Sequence, residues 1–274
     1  MKQIFNITST DANDTPQQVL SIRIGERHFG FSISRYNTDE LLHLSLYTTE
    51  GIDENVLREI YIIHPELHHS YYKTIVCYDN SASVLVPDKY YRNEDDSKLL
   101  IESMHGKLAN STVVTEGLQE WSLKNVYALS PDIEHWMKGH FPSAEYHHTY
   151  SIGIKQINAT DFEGSFIIDI GTDNFLLIVS QARKLLLAQS FAYTAPADVL
   201  YYLLKACKEY SLSQETVRLA VSGLIEKQSA LYKELYQYFL NIRFRDADWR
   251  VPYAEEQYPA HFFTSFNDLA LCAS

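Results

Sequence analysis

Phe166-Ile167-Ile168-Asp169-Ile170-Gly171-Thr172, with Phe175 to Ser180 following after two residues, decides the fold. An apolar run ends in a glycine turn and a second apolar run comes after it, the signature of a β-hairpin. Leu185 to Tyr193 supplies a third strand. The same pattern stands near the start of the chain: Leu20-Ser21-Ile22-Arg23-Ile24-Gly25-Glu26, then Phe29 to Ser34, then Leu41 to Tyr47. Laying 20–48 on 166–194 without gaps, an offset of 146, makes eight of the 29 positions identical. The pairs are Ile22/Ile168, Ile24/Ile170, Gly25/Gly171, Phe29/Phe175, Ser34/Ser180, Leu41/Leu187, Tyr47/Tyr193 and Thr48/Thr194. With one gap, Lys73 to Cys77 falls on Arg218 to Ser222. Self-similarity at a fixed offset, with the same order of elements, reads as an internal duplication.

Outward from the hairpins, Ile52 to Ile63 has helical spacing, Thr74 to Cys77 is a short strand, and Ser83 to Pro87 begins another. Residues 88–98 read as a polar helical or loop surface, 108–121 as a hairpin-like stretch, and Asn125 to Leu129 as a strand. Ser130-Pro131-Asp132 starts a helix to His140, with proline at the first helical position and acids in the first turn. Glu145 to His148 is a short strand, with a helix to Asn158 after it. In the second half, Pro196 to Glu209 is an amphipathic helix. Val217 to Val221 is a buried strand, Glu226 to Leu240 a helix and Ile242 to Phe244 a strand. Residues 245–258 form a loop and His261 to Cys272 a closing helix. The expected organisation is a polar, frayed or disordered N-terminus (1–17), a first lobe (18–158) and a second lobe (159–274).

The chain has 274 residues with a net charge of -12. So acidic a surface repels phosphate backbones and anionic membranes, which argues against nucleic acid as a partner and against binding to an anionic membrane surface. Met1 to Pro16 contains no apolar signal segment, and no apolar run is long enough for a membrane span. Cys77, Cys207 and Cys272 form no CxxC pair and are odd in number, which suits unpaired thiols in a reducing cytoplasm. Only 10 residues are glycine, so close backbone approach to phosphate has few places to occur.

A duplicated unit of hairpin, third strand, helix, strand and helix resembles the two-lobed α/β fold of actin, sugar kinases and heat-shock chaperones, each lobe a mixed, ribonuclease-H-like sheet with flanking helices. The likeness runs from about residue 20 to the end. It is nearest the bacterial cell-division and pilus-assembly branch, and nearest of all to an uncharacterised bacterial family with an actin-like ATPase fold. The last helix, with its Asp268-Leu269-Ala270-Leu271 run, is similar to that of the pilus-assembly members. The resemblance implies that both hairpin turns grip phosphate through Asp-x-Gly-Thr, with the Asp organising Mg²⁺ and the turn N–H groups facing phosphate oxygens. Asp169-Ile170-Gly171-Thr172 matches in full. Arg23-Ile24-Gly25-Glu26 does not: a cation stands at the metal-facing position and a carboxylate where phosphate belongs. Arg23 is therefore expected to pair with Glu26 or another carboxylate. The adenosine motif, a strand ending in paired glycines, reads Val221-Ser222-Gly223-Leu224, with one glycine lost.

The resemblance and its departures together imply a cytosolic protein-binding or scaffold protein with a degenerate nucleotide cleft. No catalytic residue, metal or cofactor is expected, and the partner is another cytosolic protein. The alternative is an ATPase or small-molecule kinase of the same superfamily, binding Mg-ATP through Asp169, Gly171, Thr172, Gly25 and Gly223. Among other motifs, His64-Pro65-Glu66-Leu67-His68-His69 has metal-ligand residue types. Pro65 interrupts the run and no second ligand cluster is evident, so it reads as a solvated loop. His147 and His148 face opposite sides of a strand and cannot chelate together. Ser222-Gly223 lacks the rest of a nucleophile elbow. Tyr232, Tyr236 and Phe239 share a helix face, read as packing.

Overall fold

β-Strand pairing follows the two quoted stretches. The computed structural model describes residues 1–9, 17–158, 161–250 and 258–273. Its chain separates into two units, Met1–Ser151 with Leu269–Ser274 and Ile152–Asp268.

The first unit contains β1 (Lys2–Thr8), β2 (Gln18–Gly25), β3 (His28–Arg35), β4 (Leu41–Thr48), α1 (Glu54–Ile63), β5 (Lys73–Asp79), β6 (Ser83–Pro87), α2 (Asp95–His105), β7 (Thr112–Leu118), β8 (Leu123–Leu129), α3 (Pro131–His140), β9 (Glu145–His148) and the start of α4 (Thr149–Lys155). Its main sheet is six-stranded, in the order β1-β4-β3-β2-β5-β9, with β5 parallel to β2 and β9 parallel to β5. Ile22, Phe29, Phe31, Leu57, Val76, Tyr127 and Met137 are part of its core. A separate three-stranded sheet, β6-β8-β7, packs with Ile101 of α2 around Val86 and Val126. The side chain of Asp53 caps α1 by accepting from the Val56 amide at 2.9 Å.

The second unit contains β10 (Ser165–Ile170), β11 (Asn174–Gln181), β12 (Lys184–Ala192), α5 (Pro196–Glu209), β13 (Arg218–Gly223), α6 (Ala230–Tyr238), β14 (Asn241–Phe244) and most of α7 (Thr264–Leu271). Its sheet is five-stranded, in the order β12-β11-β10-β13-β14. That is the first unit's order without β1, so the two units share one topology. α5 lays Val199, Leu203 and Cys207 on the sheet with Phe166, Leu177 and Leu219.

Strand registers test the repeat residue by residue. Val19 pairs with Lys73 and Ser165 with Arg218, so the gapped equivalence of β5 with β13 is met in space. Both third strands carry a bulge at equivalent places, Leu42 opposite Ile33/Ser34 and Leu186 opposite Val179/Ser180. The third strands differ. Phe29 pairs with Tyr47, but Phe175 pairs with Phe191. Tyr47 is therefore equivalent to Phe191, and the identities at Leu41, Tyr47 and Thr48 are two residues out of register. The cause is loop length. Residues 36–40 join β3 to β4, whereas Ala182 and Arg183 alone join β11 to β12, both at positive φ (48° and 66°) as a tight hairpin turn requires.

Other expectations are corrected. The N-terminal stretch is not wholly frayed: β1 pairs antiparallel with β4 and buries Phe5 and Ile7. The rest of that stretch, 10–16, lies outside the described residues. α2 occupies 95–105, so the helix runs on past the polar surface expected over 88–98. α6 begins at Ala230, because the Ser229 side chain caps it by accepting from the Tyr232 amide. Ser130 caps α3 by position only, without a side-chain bond. Residues 251–257 of the expected loop lie outside the described residues. The division between units falls at 151/152 and not at 158/159, and Gly153 of α4 lies so close to Ile178 of β11 that a Cβ would meet it at 2.4 Å. Among the described residues, no helix is long and apolar enough to cross a membrane.

Gly223 has φ of 82°, and a Cβ there would lie 2.2 Å from the Ile170 carbonyl oxygen. Backbone cannot yield as a side chain can. Gly223→Ala is expected to destabilise the second unit by more than the roughly 1–3 kcal/mol of strain alone. Gly139→Ala, in α3 with nothing within 4 Å, should stabilise by about 0.5–1 kcal/mol. Urea denaturation midpoints of the two variants check both signs.

Candidate functional site

The first turn joins β2 to β3. Arg23 lies opposite Gly30 on one side and Cys77 on the other, while Gly25 lies beside Asp79 at the end of β5. The Arg23 side chain reaches that aspartate: Nε donates to Oδ2 at 2.9 Å, and a terminal nitrogen lies 2.7 Å from the same oxygen. His28 Nε2 lies 3.1 Å from it as well. The Asp79 side chain is only 4% exposed. Burial alone would raise its pKa, but the Arg23 guanidinium and the His28 ring outweigh this and hold the carboxyl well below the usual range. Burial likewise pushes the neighbouring Cys77 thiol up. Gly25 has a structural reason to be glycine: a Cβ would fall 2.2 Å from the His28 ring and 2.8 Å from the Asp79 carbonyl oxygen. Glu26 does not pair with Arg23 in this arrangement; it accepts from Ser81 Oγ at 3.1 Å. The carboxylate that meets Arg23 is thus Asp79, two residues beyond the stretch of β5 aligned in the repeat.

The second turn joins β10 to β11. Asp169 lies beside Ser222 of β13, and Ser222 Oγ donates to its Oδ1 at 3.0 Å. Gly171 N–H donates to the Asn174 carbonyl at 2.8 Å, and the Tyr193 hydroxyl donates to the Gly171 carbonyl at 2.8 Å. Burial, with Asp173 adding to it, raises the Tyr193 pKa and keeps that donor protonated. Thr172 is exposed at the tip. Leu224 N–H donates to the Ile170 carbonyl at 2.7 Å, drawing Gly223 against β10. The second unit therefore gathers Asp169, Gly171, Thr172 and Gly223 at one end of its sheet. Gly25 holds the corresponding place in the first unit's register.

The histidines behave differently from the expected solvated loop. His64 is buried, 6% exposed, and its Nδ1 lies 2.7 Å from Glu66 Oε1. His43 of β4 joins them, its Nε2 3.4 Å from the same oxygen. Burial lowers the His43 pKa against the pull of Glu66. His68 turns away to the Tyr61 carbonyl, and His69 is exposed. His147 contacts Glu116 at 2.6 Å, while burial pushes the His148 ring down to about 4. No CxxC or linear spacing signalled His43. Only the strand register brings it to His64.

A meander of three strands extended by two parallel strands, repeated in two units, is the arrangement of the actin-like ATPase fold. The sequence belongs to the family described as Protein of unknown function (DUF3822), whose model matches residues 8–242. Several solved structures share the fold. A Bacteroides thetaiotaomicron protein with actin-like ATPase fold and unknown function is 20% identical, with a TM-score of 0.75 over 96% of this chain and 99% of that one. The PilM–PilN type IV pilus biogenesis complex matches at 14% identity and a TM-score of 0.64, over 94% of this chain and 99% of that one. The ethanolamine utilization protein EutJ from Carboxydothermus hydrogenoformans matches at 8% identity and a TM-score of 0.50, over 97% of this chain and 92% of that one. No curated protein sequence is significantly similar.

The Asp79 pair gives a pH-dependent expectation. An acid held below its ordinary value stabilises the fold above that value, and the contribution fades as pH falls below about 4. Asp79→Asn should be less stable than wild type at pH 7, with the gap narrowing by pH 3. Arg23→Met, which takes the guanidinium from the buried carboxylate and leaves the His28 ring beside it, should cost about 3–5 kcal/mol at pH 7. Denaturant titrations at the two pH values read both effects.

Proposed function

We infer that this is a cytoplasmic protein-binding member of the actin-like ATPase fold that does not hydrolyse ATP. The observation that carries the reading is the ion cluster at the first turn. Phosphoryl transfer needs a carboxylate to organise the metal and donors aimed at the developing charge. At the first turn Arg23 and His28 are both drawn onto Asp79, and the ring of His28 covers the bare face of Gly25. Glu26 adds a carboxylate where phosphate would approach. A docking role is supported by the company the fold keeps, since one similar structure is a two-protein complex, that of PilM and PilN. Cys77 and Cys207, buried and outside any disulfide, suit a reducing compartment.

The second reading, an ATPase or small-molecule kinase, is favoured by one feature, the intact turn from Asp169 to Thr172 at the end of β10. Calorimetry with Mg-ATP and a phosphate-release assay separate the two. The expected result is no turnover and no saturable heat at millimolar nucleotide. Turnover above blank that disappears in Asp169→Asn would overturn the reading. For the docking half, native mass spectrometry of chromosomally tagged protein should show a heteromer of fixed stoichiometry, and a free monomer throughout would sink it.

A further inference from the structure

The ring nitrogens of His43 and His64 and the carboxylate of Glu66 converge in the first unit, and we propose that they form a binding site for a divalent transition metal, zinc suiting the donor set best. One ligand atom from each residue lies within 4.8 Å of the others. Glu66 Oε1 is 2.7 Å from His64 Nδ1 and 3.4 Å from His43 Nε2. A tetrahedral ion with bonds of about 2.0–2.1 Å sets its ligands about 3.3 Å apart, so the ion enters with small side-chain shifts. Two imidazoles and one carboxylate, leaving a fourth position for water, is a donor set that zinc accepts.

The local backbone accounts for the convergence. α1 ends at Ile63, and Pro65 opens the short 3-10 helix Pro65–His68. The break at Pro65, which makes the motif look unsuitable along the sequence, turns Glu66 back onto His64. His43 arrives from β4 beside them.

The nitrogen that each ring turns away from the centre also has a partner. His64 Nε2 meets the Tyr47 hydroxyl at 2.7 Å, and His43 Nδ1 meets Thr8 Oγ1 at 3.1 Å. With each outer nitrogen donating its hydrogen, the inner nitrogens, His64 Nδ1 and His43 Nε2, present lone pairs. Outer hydrogen bonds of this kind orient metal-binding imidazoles. Gln3 Nε2 in turn donates to Tyr47 Oη at 2.8 Å, so β1 supplies two of the supporting residues. Phe31 packs against both rings, with centroids at 5.0 and 4.8 Å, and gives the site an apolar wall. Glu66, with 26% of its side chain exposed, leaves the ion a way in. The competing account is a hydrogen-bonded polar cluster complete without an ion, in which His64 donates to Glu66 and Ser45 Oγ, 2.9 Å from His43 Nε2, completes the set.

The experiment uses the full, untagged chain, stripped with a chelator and titrated with zinc chloride, with cobalt(II) chloride as the spectroscopic probe. One zinc per chain should survive desalting, and cobalt should give the visible d–d bands of a low-coordinate site. Glu66→Gln and His43→Gln should each weaken binding at least a hundredfold. Tyr47→Phe should weaken it by about ten- to a hundredfold. His68→Ala with His69→Ala should leave binding unchanged. If His43→Gln does not fold by circular dichroism, Glu66→Gln at its partly exposed position carries the comparison. Absence of retained zinc in the wild type would establish the hydrogen-bonded cluster and overturn the proposal. So would zinc binding that survives Glu66→Gln, or binding lost only with His68 and His69.

Discussion

Burial of the first hairpin strand on both faces is the constraint from which each unit is built. β10 is buried at every position from Ser165 to Ile170, and β2 from Val19 to Ile22 and again at Ile24 and Gly25. A strand flanked by an antiparallel partner and a parallel neighbour has no open edge, so a charge on it must be met from within the sheet. Each unit meets it from the parallel strand. Arg23 is answered by Asp79 of β5 and Asp169 by Ser222 of β13. The two units keep the geometry and reverse the sign.

That reversal changes what each turn can do. Where the strand carries Asp169, the neighbouring parallel strand offers it a neutral hydroxyl, that of Ser222, at the sheet end. Where the strand carries Arg23, a buried acid is needed, and the two charges together with His28 leave little net field for a phosphate or a metal. The glycines follow the same division. Gly25 makes room for His28, Gly171 for the Asn174 side chain, and Gly223 for the Ile170 backbone. Each has a neighbour of the protein's own that accounts for it without a ligand.

Much of this was legible along the chain. Apolar runs closed by glycine marked both hairpins, and helical spacing with Pro196 at its start placed α5 to the residue. The match of Lys73–Cys77 to Arg218–Ser222 held because parallel pairing with the hairpin fixes both strands at once. The third strand could not be aligned by identity, since a two-residue turn in one unit and a longer loop in the other move it by two residues while leaving its apolar face unchanged. β1 was hidden by its polar alternate residues, although Phe5 and Ile7 supply the buried side that an edge strand needs. Asp79 and His43 were invisible for a different reason. Each acquires its role from a neighbour on another strand or helix end, and no linear spacing encodes that meeting.

The first unit also differs from the second in the element after its parallel strand. β5 leads directly into the added sheet of β6, β7 and β8, whereas β13 leads through a turn to α6. The added sheet and β9 hold the end of β5 from two directions. Asn80 Nδ2 donates to the Ala128 carbonyl at 2.7 Å, and His148 Nε2 lies 3.0 Å from the Asn80 carbonyl. Glu116 of β7 then binds the other end of the histidine pair, 2.6 Å from His147 Nδ1 and accepting from the His148 amide at 3.1 Å. With its pKa pushed down to about 4, the His148 ring is neutral at pH 7, so its link to Asn80 is a dipolar one that adds no charge beside Asp79. The residue after Asp79 is thereby fixed by uncharged contacts. The Asp79 carboxylate stays directed at Arg23 and His28, and the ion cluster at the first turn rests on an extension that the second unit lacks.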